Sequence, residues 1–224
     1  MDPASFIRGM TMTPWMAWGL VVTSLMMVVV YEARARHLGR HAPQRMARYA
    51  HAQLRMEWVQ ALSAQPGFEI VAVQALRNSL MSATISASTA ALAVMGAVSL
   101  SGGALAADLG HWSAASSLHT VLQVLLLLML FASYVCSAMA MRYFGHASFV
   151  MSMPVAAPQR QLLNAMATEH VRRAGLLYGW GLRLFLMVAS VVAGIVHPLA
   201  MLPVTVLLLV ALHYFDKPAD LQVE

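Results

Sequence analysis

The amino-acid sequence predicts an all-α fold, a polytopic bundle of about five transmembrane helices with an amphipathic interfacial helix on the cytoplasmic side. Of the 224 residues, 60% are hydrophobic and only 10% are charged, whereas a soluble domain carries about 25% charged residues. Several apolar runs reach the length of about 20 residues that a helix needs to cross a bilayer. We therefore expect a single membrane domain over residues 1–224.

The basic residues are clustered, and their clustering predicts an orientation. The chain has 14 Lys and Arg, of which seven lie from Arg34 to Arg77 and four from Arg142 to Arg173. Cytoplasmic loops of membrane proteins are enriched in Lys and Arg. We expect segments 32–77 and 142–175 in the cytoplasm, the N-terminus outside it, the C-terminus inside it, and a location in a bacterial inner (plasma) membrane.

The first span is predicted over residues 13–31. Pro14 follows a threonine, and proline is favoured at the first position of a helix. Trp15 and Trp18 would lie at one membrane interface and Tyr31 at the other, because Trp and Tyr are enriched at both interfaces. The arginines that follow Tyr31 place the end of this span on the cytoplasmic side.

Residues 44–64 are predicted to form the amphipathic helix. Apolar residues, including Leu54, Trp58 and Leu62, recur at every fourth position, and arginines occupy other positions on the helical wheel. This pattern is typical of a helix that lies along a membrane surface or on the end of a bundle. The alternative is that the basic helix recruits a partner protein. Pro66 and Gly67 end it.

The second span is predicted over residues 79–100 and carries small hydroxylated residues along one face. At about 100° per residue this face extends from the start of the span to its middle. A small face lets two helix backbones approach closely, so we expect this helix inside the bundle, with its hydroxyl face lining a pore or packing on protein. The residues of this face, together with one amide from the next span, are Ser79, Ser82, Ser86, Thr89 and Gln123.

Three further spans are predicted over residues 119–141, 176–193 and 199–215. The last two come from one apolar stretch that is about twice the length of a single span. His197-Pro198 is the break signal in the middle of this stretch. Four spans, with a long tilted or re-entrant last segment, is the alternative.

Several short motifs are distributed along the chain. They are Arg55 with Trp58, Val73-Gln-Ala-Leu-Arg-Asn-Ser79, Arg142-Tyr-Phe-Gly-His146 and Gly181-Leu-Arg183. In these motifs the chain resembles the membrane family called domain of unknown function 599, which occurs in bacteria and plants. The resemblance covers nearly the whole chain, supports the membrane topology and implies no activity.

Five polar residues are predicted to lie at the cytoplasmic mouth of the bundle, where positive charge would attract an anion. They are Arg77, Asn78, Arg142, His146 and Arg183. Arg183 lies about two turns inside its span, so it either faces the bundle, with Asn78, Ser79 and Ser82 as partners, or extends to the lipid headgroups. No acidic residue lies in the interior of a predicted span.

We predict no metal site and no cofactor. His111, His119 and His197 could converge on the outer side, but they have no tight metal-binding spacing. The sequence also lacks the nucleophile elbow, the zinc-protease motif and the phosphate loop, so an intramembrane enzyme comes third among the functions that the sequence allows. We expect bound lipids and no nucleic acid as partner.

These observations favour a homo-oligomeric channel or transport-like protein. The hydroxyl face of the second span would line the passage, and arginines would set the charge at its cytoplasmic mouth. The alternative is a non-catalytic accessory or assembly subunit of a larger membrane complex, in which the same face packs on a partner.

Overall fold

The computed structural model describes residues 13–41, 47–110 and 117–217, and nearly all of these residues are helical. Five of the described helices, all except α2, are long and apolar enough to cross a membrane. The expected all-helical fold with five spans is confirmed. The helices are α1 (Pro14–His41), α2 (Ala47–Ser63), α3 (Glu69–Gly110), α4 (Ser117–Met151), α5 (Pro158–Val196) and α6 (Pro198–Asp216).

The helices continue well beyond the predicted spans. α4 passes Arg142 without interruption, and α5 begins at Pro158 although its span was predicted from residue 176. α5 has 39 residues, which makes it about 58 Å long at 1.5 Å per residue, nearly twice the bilayer core of about 30 Å. The predicted spans are therefore parts of longer helices, because a charged residue ends the apolar part of a helix but leaves its backbone hydrogen bonds intact.

The predicted hairpin between the last two spans is confirmed at His197-Pro198. His197 is extended, with φ −159° and ψ 125°, and Pro198 begins α6. Nδ1 of His197 accepts a hydrogen bond from the backbone N–H of Leu199 at 3.2 Å. His197 therefore caps a helix, and α6 then runs continuously through Pro203.

The helices pack in a defined order. α4 and α5 share the most extensive contact, α3 packs on α4, α6 packs on α5 and α1 packs on α6. We call the end where α1, α4 and α6 finish and α3 and α5 begin the basic end. One buried cluster lies there and includes Val59, Phe144 and Val171. A second cluster, which includes Leu122 and Met201, lies toward the opposite end.

The amphipathic helix α2 packs on the bundle at the basic end. It contacts α5, and its residue Val59 is fully buried. Ser63, at its last position, donates to Oδ1 of Asn164 in α5 at 2.7 Å. Of the placements that its sequence pattern allowed, α2 therefore occupies the one on the end of the bundle.

Arg160 joins three helices at the basic end and was not recognised in the sequence. Its side chain is almost completely buried, and its guanidinium donates to the backbone oxygen of Val150 in the last turn of α4. It also donates to Oγ of Ser63 at 3.0 Å. A cation near the carbonyls of a helix C-terminus is stabilised by the helix dipole. The arrangement fixes the chain reversal between α4 and α5.

A close approach of α4 and α5 depends on Gly181. The backbone oxygen of Gly181 accepts a hydrogen bond from Oγ of Ser133 at 2.8 Å, although the two residues lie on different helices. A Cβ at position 181 would lie 2.7 Å from Oγ of Ser137 and 3.3 Å from the backbone oxygen of Ser133. Only glycine fits there without a shift of the two helices.

Gly181→Ala is therefore expected to lower the stability of the bundle by about 1–3 kcal/mol through overpacking. Gly145→Ala in α4 is the matched control, because a Cβ there meets nothing within 4 Å. The control should leave stability unchanged or raise it by up to about 1 kcal/mol through helix propensity. Thermal unfolding of the detergent-solubilised protein measures both changes. Equal effects of the two variants would contradict the close approach.

Candidate functional site

Arg183 faces the interior of the bundle and is held by two carboxylates. Its side chain is 12% exposed, and Nη1 donates to Oε1 of Glu32 at 3.0 Å. Nη2 donates to Oδ1 of Asp216. The hydroxyl of Tyr31 donates to the second carboxylate oxygen of Asp216 at 2.8 Å. We call these four residues the Arg183 cluster.

The structure corrects the partners that the sequence suggested for Arg183. Asn78, Ser79 and Ser82 make no hydrogen bond to it, and its partners come from α1 and α6. Glu32 and Asp216 each follow a predicted span by one residue, in segments that were expected in the cytoplasm. In the folded chain both carboxylates lie beside Arg183.

The Arg183 cluster connects α1, α5 and α6 by charge-assisted hydrogen bonds. Both carboxylate side chains are less than a tenth exposed. The partner groups therefore replace most of the water around each charged group. Removal of one partner leaves the charge of the other buried without a counter-charge. Ionisable residues within membrane-spanning helices are costly and commonly mark functional sites. The cluster is the main functional candidate among the described residues.

A cavity of about 320 Å³ lies beside the cluster, and we call it the basic cavity. Arg183 and Asp216 form part of its wall. His51 and Arg55 from α2 contribute its other polar groups, so the helix that was predicted as interfacial closes the cavity at the basic end. The cavity therefore combines an internal ion cluster with the guanidinium of Arg55 and the imidazole of His51 from a separate helix.

Arg55 lies directly over the backbone of α5. A Cβ at Gly175 would come 2.2 Å from Nη1 of Arg55, so the absence of a side chain at Gly175 makes room for the guanidinium. Burial lowers the pKa of Arg55 from its ordinary value, because a low-polarity environment disfavours the charged form. Arg55 makes no hydrogen bond or ion pair with any residue in the described ranges.

The residues predicted for the cytoplasmic mouth do not form one site. Arg142 and His146 lie at the basic end but line a second cavity, of about 460 Å³, together with Tyr143 and His170. The ring centres of His146 and His170 are 6.0 Å apart. Arg183 lines the basic cavity instead.

The two other residues predicted for the mouth, Arg77 and Asn78, lie elsewhere. Both are exposed on α3, and they line neither the basic cavity nor the second cavity. The five residues predicted for the cytoplasmic mouth therefore lie in three separate places.

The hydroxyl face of α3 is not covered within the chain. Ser82 and Thr89 are exposed, and Ser79 and Ser86 are half-buried. The opposite face packs on α4 through small residues such as Ala83. Within a single chain the hydroxyl face therefore lies on the outside of the bundle, and alanines on the opposite face allow the close approach to α4.

Hydrogen bonds within α3 explain why its hydroxyls tolerate exposure. The hydroxyls of Ser79, Ser82 and Thr89 each donate to the backbone oxygen four residues earlier, at 3.2, 3.1 and 2.9 Å. Such bonds satisfy the donor inside its own helix. Gln123, predicted beside this face, is buried in α4, and its side-chain nitrogen lies 2.9 Å from Nε2 of His119.

The three histidines considered for a metal are placed separately. His119 contacts Gln123, and His197 caps α6, while His111 lies outside the described residues. Within residues 13–41, 47–110 and 117–217, no group of three or more His, Cys, Asp or Glu is placed to hold a metal ion.

Five apolar helices with a buried ion cluster define a polytopic membrane protein. The chain belongs to the family described as "Protein of unknown function, DUF599", whose model matches residues 19–220. The resemblance seen in the sequence motifs is thereby confirmed. No curated protein matches the chain. No solved structure matches it either.

Arg183→Leu is expected to destabilise the protein by about 3–5 kcal/mol, because the two carboxylates of the cluster would lose their shared cation. Arg173→Leu is the matched control. It removes an ion pair to Glu169 in the same helix, where Arg173 is 54% exposed, and exposed pairs contribute little. Thermal unfolding in detergent compares the two variants. A similar small effect of both would show that the cluster is not a buried interaction.

Proposed function

We propose that this protein has a transport-like function in which the Arg183 cluster controls access to the basic cavity. The observation that supports the proposal is a buried guanidinium that connects two carboxylates on separate spanning helices beside an open cavity. Ionisable residues inside membrane spans commonly pair with one another and mark the pathways of substrates and ions in transporters. The passage would run through the basic cavity and not along α3.

The cluster can act as a gate because its hydrogen bonds are exchangeable. An anion that enters the cavity competes with Glu32 and Asp216 for Arg183, and a cation or proton competes for the carboxylates. Either event weakens the connection between α5 and its two neighbours. A ligand shifts such an equilibrium only by its difference in affinity for the two states, and the cluster provides that difference.

The proposed orientation places the basic end in the cytoplasm. Most of the arginines lie in segments that the bundle gathers at this end. The positive-inside rule associates such clusters with the cytoplasmic side. We propose a bacterial plasma membrane as the location on this basis.

Flux through proteoliposomes tests the gate. Vesicles loaded with potassium chloride and potassium phosphate should release chloride or phosphate, or take up protons, faster than vesicles without protein. Asp216→Asn should raise the rate about tenfold, because it weakens the connection between α5 and α6. One charge-assisted hydrogen bond contributes about 1.5–3 kcal/mol. Ion-selective electrodes and an internal pH dye measure these rates.

Glu57→Gln is the control for the flux experiment. Glu57 is exposed on α2 and accepts a hydrogen bond from Gln53 one turn away, so the same chemical change should leave the rate unaltered. Rates that do not exceed those of empty vesicles, or equal rates in the two variants, would contradict the gate.

We further propose that the protein is a homo-oligomer that associates through the hydroxyl face of α3. α3 packs chiefly on α4, and its outer face has small hydroxylated residues alternating with apolar ones. Such a face permits close approach of a second helix. The accessory-subunit alternative uses the same face for a different membrane protein.

Thr89→Leu should weaken self-association about fivefold or more, because a contact between membrane helices contributes roughly 1 kcal/mol. Thr23→Leu is the matched control: Thr23 is also exposed and bonds to a carbonyl four residues earlier, but it lies on α1. Mass photometry in detergent gives the oligomer distribution. A monomer that co-purifies in fixed ratio with another membrane protein would favour the accessory role and contradict the homo-oligomer.

A further inference from the structure

We propose that the basic cavity binds an anionic phospholipid, with the phosphate group at Arg55 and an acyl chain along the apolar wall. This inference takes the basic cavity from the proposed function and names its ligand. It depends on three features of the cavity: a guanidinium without an acceptor among the described residues, a change in polarity along the wall, and an opening toward the hydrocarbon.

Arg55 is the group that would bind the phosphate. Its guanidinium is half-buried against Gly175 and has no hydrogen-bond acceptor in the described part of the chain. A guanidinium has five N–H donors, and its planar shape matches phosphate in two-pronged fashion. A cation held in a cavity without an internal acceptor is stabilised by an anion from outside the chain.

The other charges in the wall favour an anion at Arg55. Asp216 is the carboxylate that lines the cavity, and both its oxygens already accept hydrogen bonds, from Arg183 and from Tyr31. The imidazole of His51, one turn before Arg55 on the same helix, also lines the cavity and has a ring nitrogen that can form a hydrogen bond to the anion. The guanidinium carbon of Arg36 lies 5.1 Å from the ring centre of Trp180, which brings further positive charge to the wall.

The polarity of the wall changes along α5. Gly175 marks the level of Arg55, and Leu186 lines the cavity eleven positions further along the helix, about 16 Å deeper at 1.5 Å per residue. At that depth the exposed part of the wall is apolar, with Leu182 and Leu186. The buried part is formed by Arg183 and Asp216, which are already paired with each other. A phosphate at one end and a hydrocarbon chain at the other would match this order.

The apolar part of the cavity opens to the outside of the bundle. Leu182 is 38% exposed, Leu186 46% and Phe215 70%. All three line the cavity and lie on helices that are apolar enough to cross a membrane. A lipid could therefore enter sideways from the bilayer, and basic pockets between membrane helices are known to bind lipid headgroups. A free phosphate would leave the apolar wall unused.

Native mass spectrometry of the detergent-purified full chain tests the proposal. Titration with phosphatidylglycerol should give one tightly bound lipid, and phosphatidylcholine of the same chain length should bind about tenfold more weakly. Arg55→Gln should weaken binding of phosphatidylglycerol about tenfold, the effect of losing a charge-assisted hydrogen bond. Arg55→Lys, which keeps the positive charge, should retain part of the affinity.

Arg34→Gln is the matched control, because Arg34 is exposed at the basic end and does not line the cavity. It should bind phosphatidylglycerol as the unchanged protein does. Equal binding by Arg55→Gln and Arg34→Gln, or equal binding of the two lipids, would overturn the proposal. Displacement of the lipid by millimolar inorganic phosphate would also overturn it, since the acyl chain would then contribute nothing.

The lipid measurement and the flux measurement can fail separately. Lipid binding that depends on Arg55, found in a protein without flux, would support the lipid site and contradict the transport-like function. Flux that responds to Asp216→Asn, found in a protein that binds both lipids equally, would support the gate and overturn the lipid site.

Discussion

The need to compensate the buried charge of Arg183 determines how three of the spanning helices meet. An isolated guanidinium in a low-polarity environment is too costly to persist. Its two acceptors lie on α1 and α6, so those helices must reach the same depth beside α5. The remaining oxygen of Asp216 is held by Tyr31, which adds a fourth residue to the constraint. Side-chain charge, and not apolar packing alone, therefore sets the register of α1, α5 and α6.

The length of α5 extends this arrangement to the basic end. Because the helix begins at Pro158, its first half supports α2, and its second half carries Arg183. Gly175 lies between the two halves and makes room for the guanidinium of Arg55. The basic cavity lies between α2 and the wall that α5 and α6 form. One continuous helix thus positions both the internal ion cluster and the cationic group that faces the cavity.

The features that could be predicted from the sequence are the local ones. The break at His197-Pro198 follows from the backbone preferences of the residues that form it, and each apolar run indicates a span by itself. The partners of Arg183 could not be predicted in this way, since Glu32 is 151 positions away and Asp216 is 33 positions away. The sequence nevertheless contained a useful signal, because one acidic residue directly follows each of the two predicted spans that pack beside the buried arginine.

α3 shows why a row of hydroxyls in a membrane helix does not by itself identify an interior face. A serine or threonine can satisfy its donor with a carbonyl one turn earlier in the same helix, and Ser82 and Thr89 do so. The face that packs on α4 uses alanine, which permits close approach without any polar group. Small residues occur on both faces of α3, but the outer face also carries Ile85 and Leu92, whose side chains are 62% and 68% exposed. A second helix would therefore approach the outer face between these two side chains, at the level of Ser82 and Thr89, where the hydroxyls can exchange their internal bonds for bonds across the contact.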